Sequence, residues 1–266
     1  MRPLHATILA ASIWGPGLPG WASSRTVLAG QHPYAPTPTP APPPALLPAT
    51  ERRRAGPVVR LALAVAHEAA AASGLPPETL RAVFASSNGD GPVVGAILDA
   101  LATSCANERV VSPTQFHNSV HNAAAGYWSI ATASRLPATC IGCNDDSWAA
   151  GLLIALAELH ATCAPVLLCC YDHPLPAPLY AVRPTGPAFA AALVLAPNGA
   201  GPTLALQHDP QAPPRDHPQL PADLDVLMRQ NPAARALPLL AQIARNQPGA
   251  HDLPYLEGRL TLSLQP

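Results

Sequence analysis

Lysine is absent from all 266 positions, and each of the 15 basic side chains is an arginine. That absence excludes a lysine Schiff base and the lysine of a Walker A phosphate loop. Charge of either sign is scarce, with 12% Asp, Glu, Lys and Arg where a globular chain usually carries about a quarter. The net charge is −1, and the single basic run, Glu51-Arg52-Arg53-Arg54, is too short for a nucleic-acid footprint. No apolar stretch reaches membrane-spanning length without a polar residue or a proline. The six cysteines (Cys105, Cys140, Cys143, Cys163, Cys169 and Cys170) follow no secreted disulfide spacing. Several sit in apolar runs, where cysteine behaves as a small hydrophobe; this usage points to a reducing cytoplasm. No internal repeat is visible, and no motif calls for a cofactor.

What is abundant is apolar surface. Hydrophobic residues make up 48% of the chain, enough for a substantial core. A chain so poor in charge is expected to cover part of its apolar surface with a partner, as an obligate subunit does. Met1-Arg2 followed by Ala6–Trp14 loosely resembles a signal peptide. The run is short, however, carries Thr7 and Ser12, and is broken at Gly15-Pro16-Gly17, so His5–Ile13 reads as a buried first strand.

Further along, Gln31–Pro48 is proline-rich and reads as an extended surface loop. Pro57–Ser73 reads as a helix with proline in its first turn and Gly74 as its stop. Strands are expected at Leu80–Ser86, at Ala138–Gly142 (short and buried) and at Val166–Tyr171, whose unbroken apolar run suits a parallel sheet. Helices are expected at Gly91–Ala102, Asn118–Ala131 and Asp146–His160. Phe189–Leu195 and Thr203–Gln207 read as strands paired with each other. Pro221–Asn246 reads as two short helices broken at Pro232, and Arg259–Leu264 as a last strand. Strands alternating with helices imply βαβ crossovers in one layered α/β domain spanning 1–266, with 209–266 as a divergent C-terminal extension.

Several segments, in order, resemble the N-terminal half of the β-ketoacyl synthase family. They are Arg53–Gly56 with the following helix, the turn Ser86-Ser87-Asn88-Gly89-Asp90-Gly91, and Ser112-Pro113 through Asn122 to Gly126. Ser129-Ile130, Arg135-Leu136-Pro137 and Val182–Leu195 continue the series. The resemblance covers roughly residues 5–200. The segment Phe116–Asn122 followed by Ala-Gly-Tyr-Trp-Ser-Ile is similar to that of short chain length factor proteins, including those of aryl polyene pigment pathways. The resemblance implies a thiolase-like α/β/α fold.

Condensing enzymes of that family carry a thiolate nucleophile at a strand-to-helix turn, where the helix N-terminus lowers its pKa. In the family it stands eight residues after the proline of a Gly-Pro pair; counted from Pro137, that position is Asp145. A carboxylate is a poor acyl acceptor, so the resemblance implies a chain without a working nucleophile. Asn144, Asp145 and Asp146 would then simply cap the next helix. The rival nucleophile is Cys143, two residues early. Cys140-Ile141-Gly142-Cys143 also matches a Cys-x-x-Cys redox pattern, but it spans a strand end and reads as structural.

The family's two catalytic histidines come from its C-terminal half. His208, His217 and His251 do not match those motifs and read as surface residues. His117 and His121 could share a helical face, but residue 118 is Asn and no His-Glu-x-x-His zinc pattern exists. By the resemblance, His117, Asn118, Ser119, His121 and Asn122 would lie at a subunit interface near a partner's acyl pocket; the competing reading is that they satisfy buried backbone groups. Tyr127 and Trp128 read as core.

The expectation is a non-catalytic subunit pairing with a complete β-ketoacyl-ACP synthase in fatty acid or polyketide chain elongation. That partner would act on an acyl carrier protein, and this chain would limit product length. The alternatives are an independent acyltransferase using Cys143, a priming decarboxylase using the Asp145 region, or a purely structural subunit.

Overall fold

The residues from Leu4 to Gly15 form β1, which lies inside a nine-stranded mixed sheet. Its alternating side chains explain why the opening apolar run is a buried strand. Ala6, Ile8, Ala11 and Ile13 enter one core cluster, and Ala10 enters the other. The structure is a computed structural model that describes residues 3–40, 43, 45–102, 110–211 and 220–266. Cys105 and His217 lie outside the described residues, as do parts of the proline-rich segment and of the C-terminal extension.

After β1 the chain forms β2 (Leu18–Pro19), α1 (Trp21–Leu28), α2 (Ala49–Arg54), α3 (Pro57–Ser73), β3 (Arg81–Ala85) and α4 (Gly91–Ala102). It continues through α5 (Pro113–Asn118), α6 (Ala123–Thr132), β4 (Ala138–Ile141), α7 (Ser147–Thr162), β5 (Val166–Asp172) and α8 (Leu179–Val182). Then come β6 (Phe189–Ala196), β7 (Thr203–Asp209), α9 (Ala222–Gln230), α10 (Leu237–Arg245), β8 (Gly249–Tyr255) and β9 (Gly258–Gln265). The strand order is β4-β3-β5-β6-β1-β7-β9-β8, with β2 attached to β1. β3 pairs in parallel with β4 and β5, while the other pairings are antiparallel.

β5 shows how the layers form. Val166, Leu168 and Cys170 face the cluster containing Leu152 and Leu156 of α7; Leu167, Cys169 and Tyr171 face the cluster containing α3 and α6. A strand apolar on both faces needs helices on both sides, and the result is an α/β/α sandwich. α3 keeps its expected bounds because Pro57 suits a first turn and Gly74, at φ 72°, accepts the left-handed stop. Each fully buried Leu or Val on this framework stabilises it by about 1.5–3 kcal/mol.

Three expectations need correction, and one strand was not foreseen. β6 and β7 do not pair with each other: β1 lies between them, antiparallel to both. The connection arches over β1, and a Cβ at Gly201 would stand 2.2 Å from the Ile8 carbonyl oxygen, so only glycine fits. β4 is a sheet edge rather than a buried strand, since it pairs with β3 alone. The helix expected over Asn118–Ala131 begins only at Ala123, as α6; residues 119–122 form a turn that separates it from α5, which ends at Asn118. Finally, β8 forms the opposite edge with Pro254 inside it, a position that an edge strand tolerates.

Candidate functional site

β3, β4 and β5 run in parallel and end together at Ala85, Ile141 and Asp172. Parallel sheets present their chemistry at such carboxyl ends. Between β4 and α7 the chain turns sharply through Cys143, Asn144 and Asp145, with Asn144 in the left-handed region at φ 49°. Asn accepts that conformation more readily than most residues. Ser147 braces the turn: its hydroxyl accepts from the Cys143 N–H at 3.0 Å and donates to the Asn144 carbonyl at 2.7 Å.

Asp145 therefore occupies the strand-to-helix elbow, with a side chain 47% exposed. Arg183 donates to its Oδ1 at 2.5 Å, and Arg235 lies 3.6 Å from its Oδ2. Asp146 takes Arg235 at 2.9 Å and accepts the Leu256 N–H at 2.9 Å. The expected capping role of these acids does not occur. Asp146 stands at the N-cap position of α7 but makes no side-chain cap bond. Its carboxylate is taken instead by Arg235 and the Leu256 N–H, and Asp145 by Arg183 and Arg235.

A second turn, Ser86 to Gly91, wraps the same face. Its anchor is Asp172, fully buried at the end of β5. Asp172 Oδ1 accepts from Ser86 Oγ at 3.0 Å, Ser87 N–H at 2.8 Å and Asn88 N–H at 3.2 Å. Burial pushes this carboxyl up to about 7, against the lowering effect of those donors and of Arg183. From the turn, Ser87 Oγ accepts Arg183 at 2.8 Å, and Asn88 Nδ2 donates to Thr185 Oγ1 at 2.8 Å. His121 Nε2 lies 3.0 Å from the Ser86 carbonyl oxygen. Gly142 leaves room for that approach, since a Cβ there would sit 3.0 Å from the same oxygen and 3.2 Å from His121 Nε2.

The segment from His117 to Asn122 divides. Asn118 is 3% exposed; its Nδ2 donates to the Arg54 carbonyl at 2.9 Å, and its Oδ1 accepts from Tyr127 at 3.0 Å. In the single chain it satisfies buried polar groups, as the competing sequence reading held. His117 is exposed and stacks edge-on with Tyr127 at 6.3 Å. Ser119 is half-buried and turns its hydroxyl back to the Phe116 carbonyl at 2.8 Å. His121 and Asn122 are exposed beside the second turn. Tyr127 and Trp128 are core, as read from sequence.

Neither rival chemistry gains from the geometry. Cys143 is pushed up by burial and by the nearby Asp146 charge, the reverse of an activated thiol. Cys140 is pushed up to about 11 by burial, and both cysteines are free thiols. His251, read as a surface residue, is buried in β8, and His208 packs edge-on against Tyr255 in β7. Among the described residues, no group of three or more His, Cys, Asp or Glu is placed to hold a metal, and no helix is long and apolar enough to cross a membrane. Sequence reasoning missed Arg183, Arg235 and Asp172. Only Asp172 carried a local signal, as a carboxylate closing a fully apolar strand.

Comparison with known proteins agrees with this architecture. No curated protein matches by sequence. Among solved structures, one of a ketosynthase (ApeO) in complex with its chain length factor (ApeC) from Xenorhabdus doucetiae superposes with TM-score 0.71 at 23% identity, covering 98% of this chain and 99% of the other. The ishigamide ketosynthase/chain length factor gives TM-score 0.70 at 15% identity, over 97% and 98%. A ketosynthase from module 1 of the Bacillus amyloliquefaciens FZB42 bacillaene synthase gives 0.54 at 12% identity, over 77% of this chain but only 46% of the other. These likenesses show the thiolase-like ketosynthase fold. The sequence pattern of the β-ketoacyl synthase N-terminal domain family matches residues 28–249, and the chain belongs to that family.

Proposed function

We propose that this chain is a non-catalytic ketosynthase-like subunit of the chain length factor type, pairing with a complete β-ketoacyl-ACP synthase. The observation that carries this reading is the acidic elbow. Asp145 stands at the strand-to-helix turn where the family's register would put a thiol, and Arg183 and Arg235 both pair with its side chain. An ion-paired carboxylate is a poor nucleophile toward a thioester, and the anhydride it would form is a poor acyl intermediate. The wide structural likeness to two ketosynthase/chain length factor assemblies supports the same reading.

The partner would bring its own cysteine and histidines and take acyl groups from a carrier protein, in fatty acid or polyketide elongation of the aryl polyene kind. This chain would close one end of the acyl pocket, rejecting a further two-carbon unit by overpacking, which costs about 1–3 kcal/mol. Its docking face would be the β4 edge with the flanking apolar residues Ile130 and Leu136, continued by Phe116 and Val120 near His117, Ser119, His121 and Asn122. An unpaired edge strand beside exposed apolar side chains is a common site of association.

Co-expression with the cognate synthase tests the reading. The complex should make products of defined length, and the synthase alone should be insoluble or give a changed length distribution. An unchanged synthase and product profile without this chain would reject the proposal. In the same assay Cys143→Ala should leave product yield within about twofold; a complete loss would move the chemistry to that thiol and favour the independent acyltransferase.

A further inference from the structure

We propose that Asp172 is a positioning residue whose ionisation sets how tightly the Ser86–Gly89 turn is held, and through that turn where Arg183 and His121 stand at the elbow. This goes beyond the subunit reading and stands or fails on the single chain.

The wiring is direct. Asp172 Oδ1 receives the donors of Ser86, Ser87 and Asn88, while its Oδ2 is buried without a hydrogen-bond partner. Ser86 Oγ also accepts the Gly89 N–H at 2.9 Å, which closes the turn, and Gly89 takes φ 59°. The turn then reaches outward in two directions: Ser87 Oγ meets the Arg183 guanidinium that pairs with Asp145, and the Ser86 carbonyl meets His121. One carboxylate thus sets both the cation that neutralises the elbow and the imidazole beside it. A proton added at the vacant Oδ2 would leave Oδ1 as a neutral acceptor. Bonds to an ionised acceptor are roughly twice as strong as neutral ones, so protonation loosens the turn without removing it.

Burial brings the transition up into the neutral range, against the pull of the hydrogen bonds and of the one facing cation. Arg183 is the cation facing Asp172 and favours its ionised form. On its own strand Cys170 and Tyr171 are both held well above their usual range by burial and remain neutral. β6 places Phe189 opposite it, and Asn231 donates to its backbone carbonyl at 3.3 Å; neither carries charge. Past the turn, Asp90 faces His173. Histidines change charge in the same window, so His121 is the necessary control.

Two signs follow, and they oppose each other. The folded state holds the Asp172 proton up to about 7, far above an unfolded aspartate. This group's contribution to global stability is therefore present in mild acid and lost as pH rises through about 7. Local protection of the turn should run the other way, tight above pH 7 and looser below it.

Amide hydrogen exchange on the full chain, corrected for the intrinsic pH dependence of exchange, reads the local term. The protection of Ser87 and Asn88 should fall about tenfold between pH 8 and pH 6. Asp172→Asn should make it independent of pH in that range, His121→Gln should leave the native profile, and Arg183→Gln should move the midpoint to higher pH. If Asp172→Asn fails to fold, the Arg183→Gln shift decides. Flat protection in the native chain, a transition that survives Asp172→Asn, or an unmoved midpoint in Arg183→Gln would each overturn the proposal.

Discussion

Trp148→Ala should lower the free energy of unfolding by about 3–5 kcal/mol, the range for deleting a buried Trp or Phe side chain. At about 2–4 °C per kcal/mol for a chain near this size, the melting temperature should fall by about 6–20 °C. Trp148 stands in the first turn of α7, directly behind the elbow, and packs fully buried in the same cluster as Leu152 and Leu168. Its indole Nε1 is buried without a hydrogen-bond partner. Trp148→Phe therefore gives up volume but also removes a polar group that costs stability where it lies, and should lose less than half as much. Denaturant unfolding of the three proteins measures the series. An alanine variant within about 1 kcal/mol of the native chain would mean that α7 does not lean on the sheet through this residue, and that the elbow is set by its ion pairs alone.

The parts of this fold that were legible share one property: their signals are local. α3 is bracketed by Pro57 and Gly74. β5 is an apolar run too short for a helix, and the elbow follows from counting along the chain from Pro137. What escaped is non-local. Nothing near Phe189 or Thr203 says that the first strand of the chain will lie between them, because the partner of both strands is β1, more than 170 residues away in sequence. β8 escaped because Pro254 reads as a breaker unless the strand is known to be an edge. Asn144 and the acids Asp145 and Asp146 read as helix caps because their own neighbourhood offers only free N–H groups. The arginines that take the two acids arrive from beyond α8 and from the short helix before α10. Asn118 stayed open between two readings for the same reason: its partners in the chain, Arg54 and Tyr127, come from α2 and α6.

Replacing both Ile130 and Leu136 with Asp should abolish pairing with the synthase while sparing the fold. In the single chain these side chains are 51% and 38% exposed, and surface substitutions of this kind usually change stability by no more than about 0.5 kcal/mol. At an apolar interface, by contrast, each buried carboxylate would lose the apolar contact and its own hydration. An interface hot spot is worth about 2 kcal/mol or more, roughly a 30-fold loss of affinity per site. The two substitutions should approach a 1,000-fold loss, on the order of the product, if they act independently. Val226→Asp on α9, equally exposed but outside the proposed face, serves as the control and should bind normally. Calorimetry of the purified subunits gives the affinities, and thermal melts confirm that the folds are intact. The outcome also speaks to the scarcity of charge in the chain. If the β4 edge is covered in the assembly, that scarcity is the composition of a half-interface, and the double variant should stay monomeric and soluble where the native chain pairs. Undiminished binding by the double variant would move the partner to another face and leave the exposed β4 edge without an occupant.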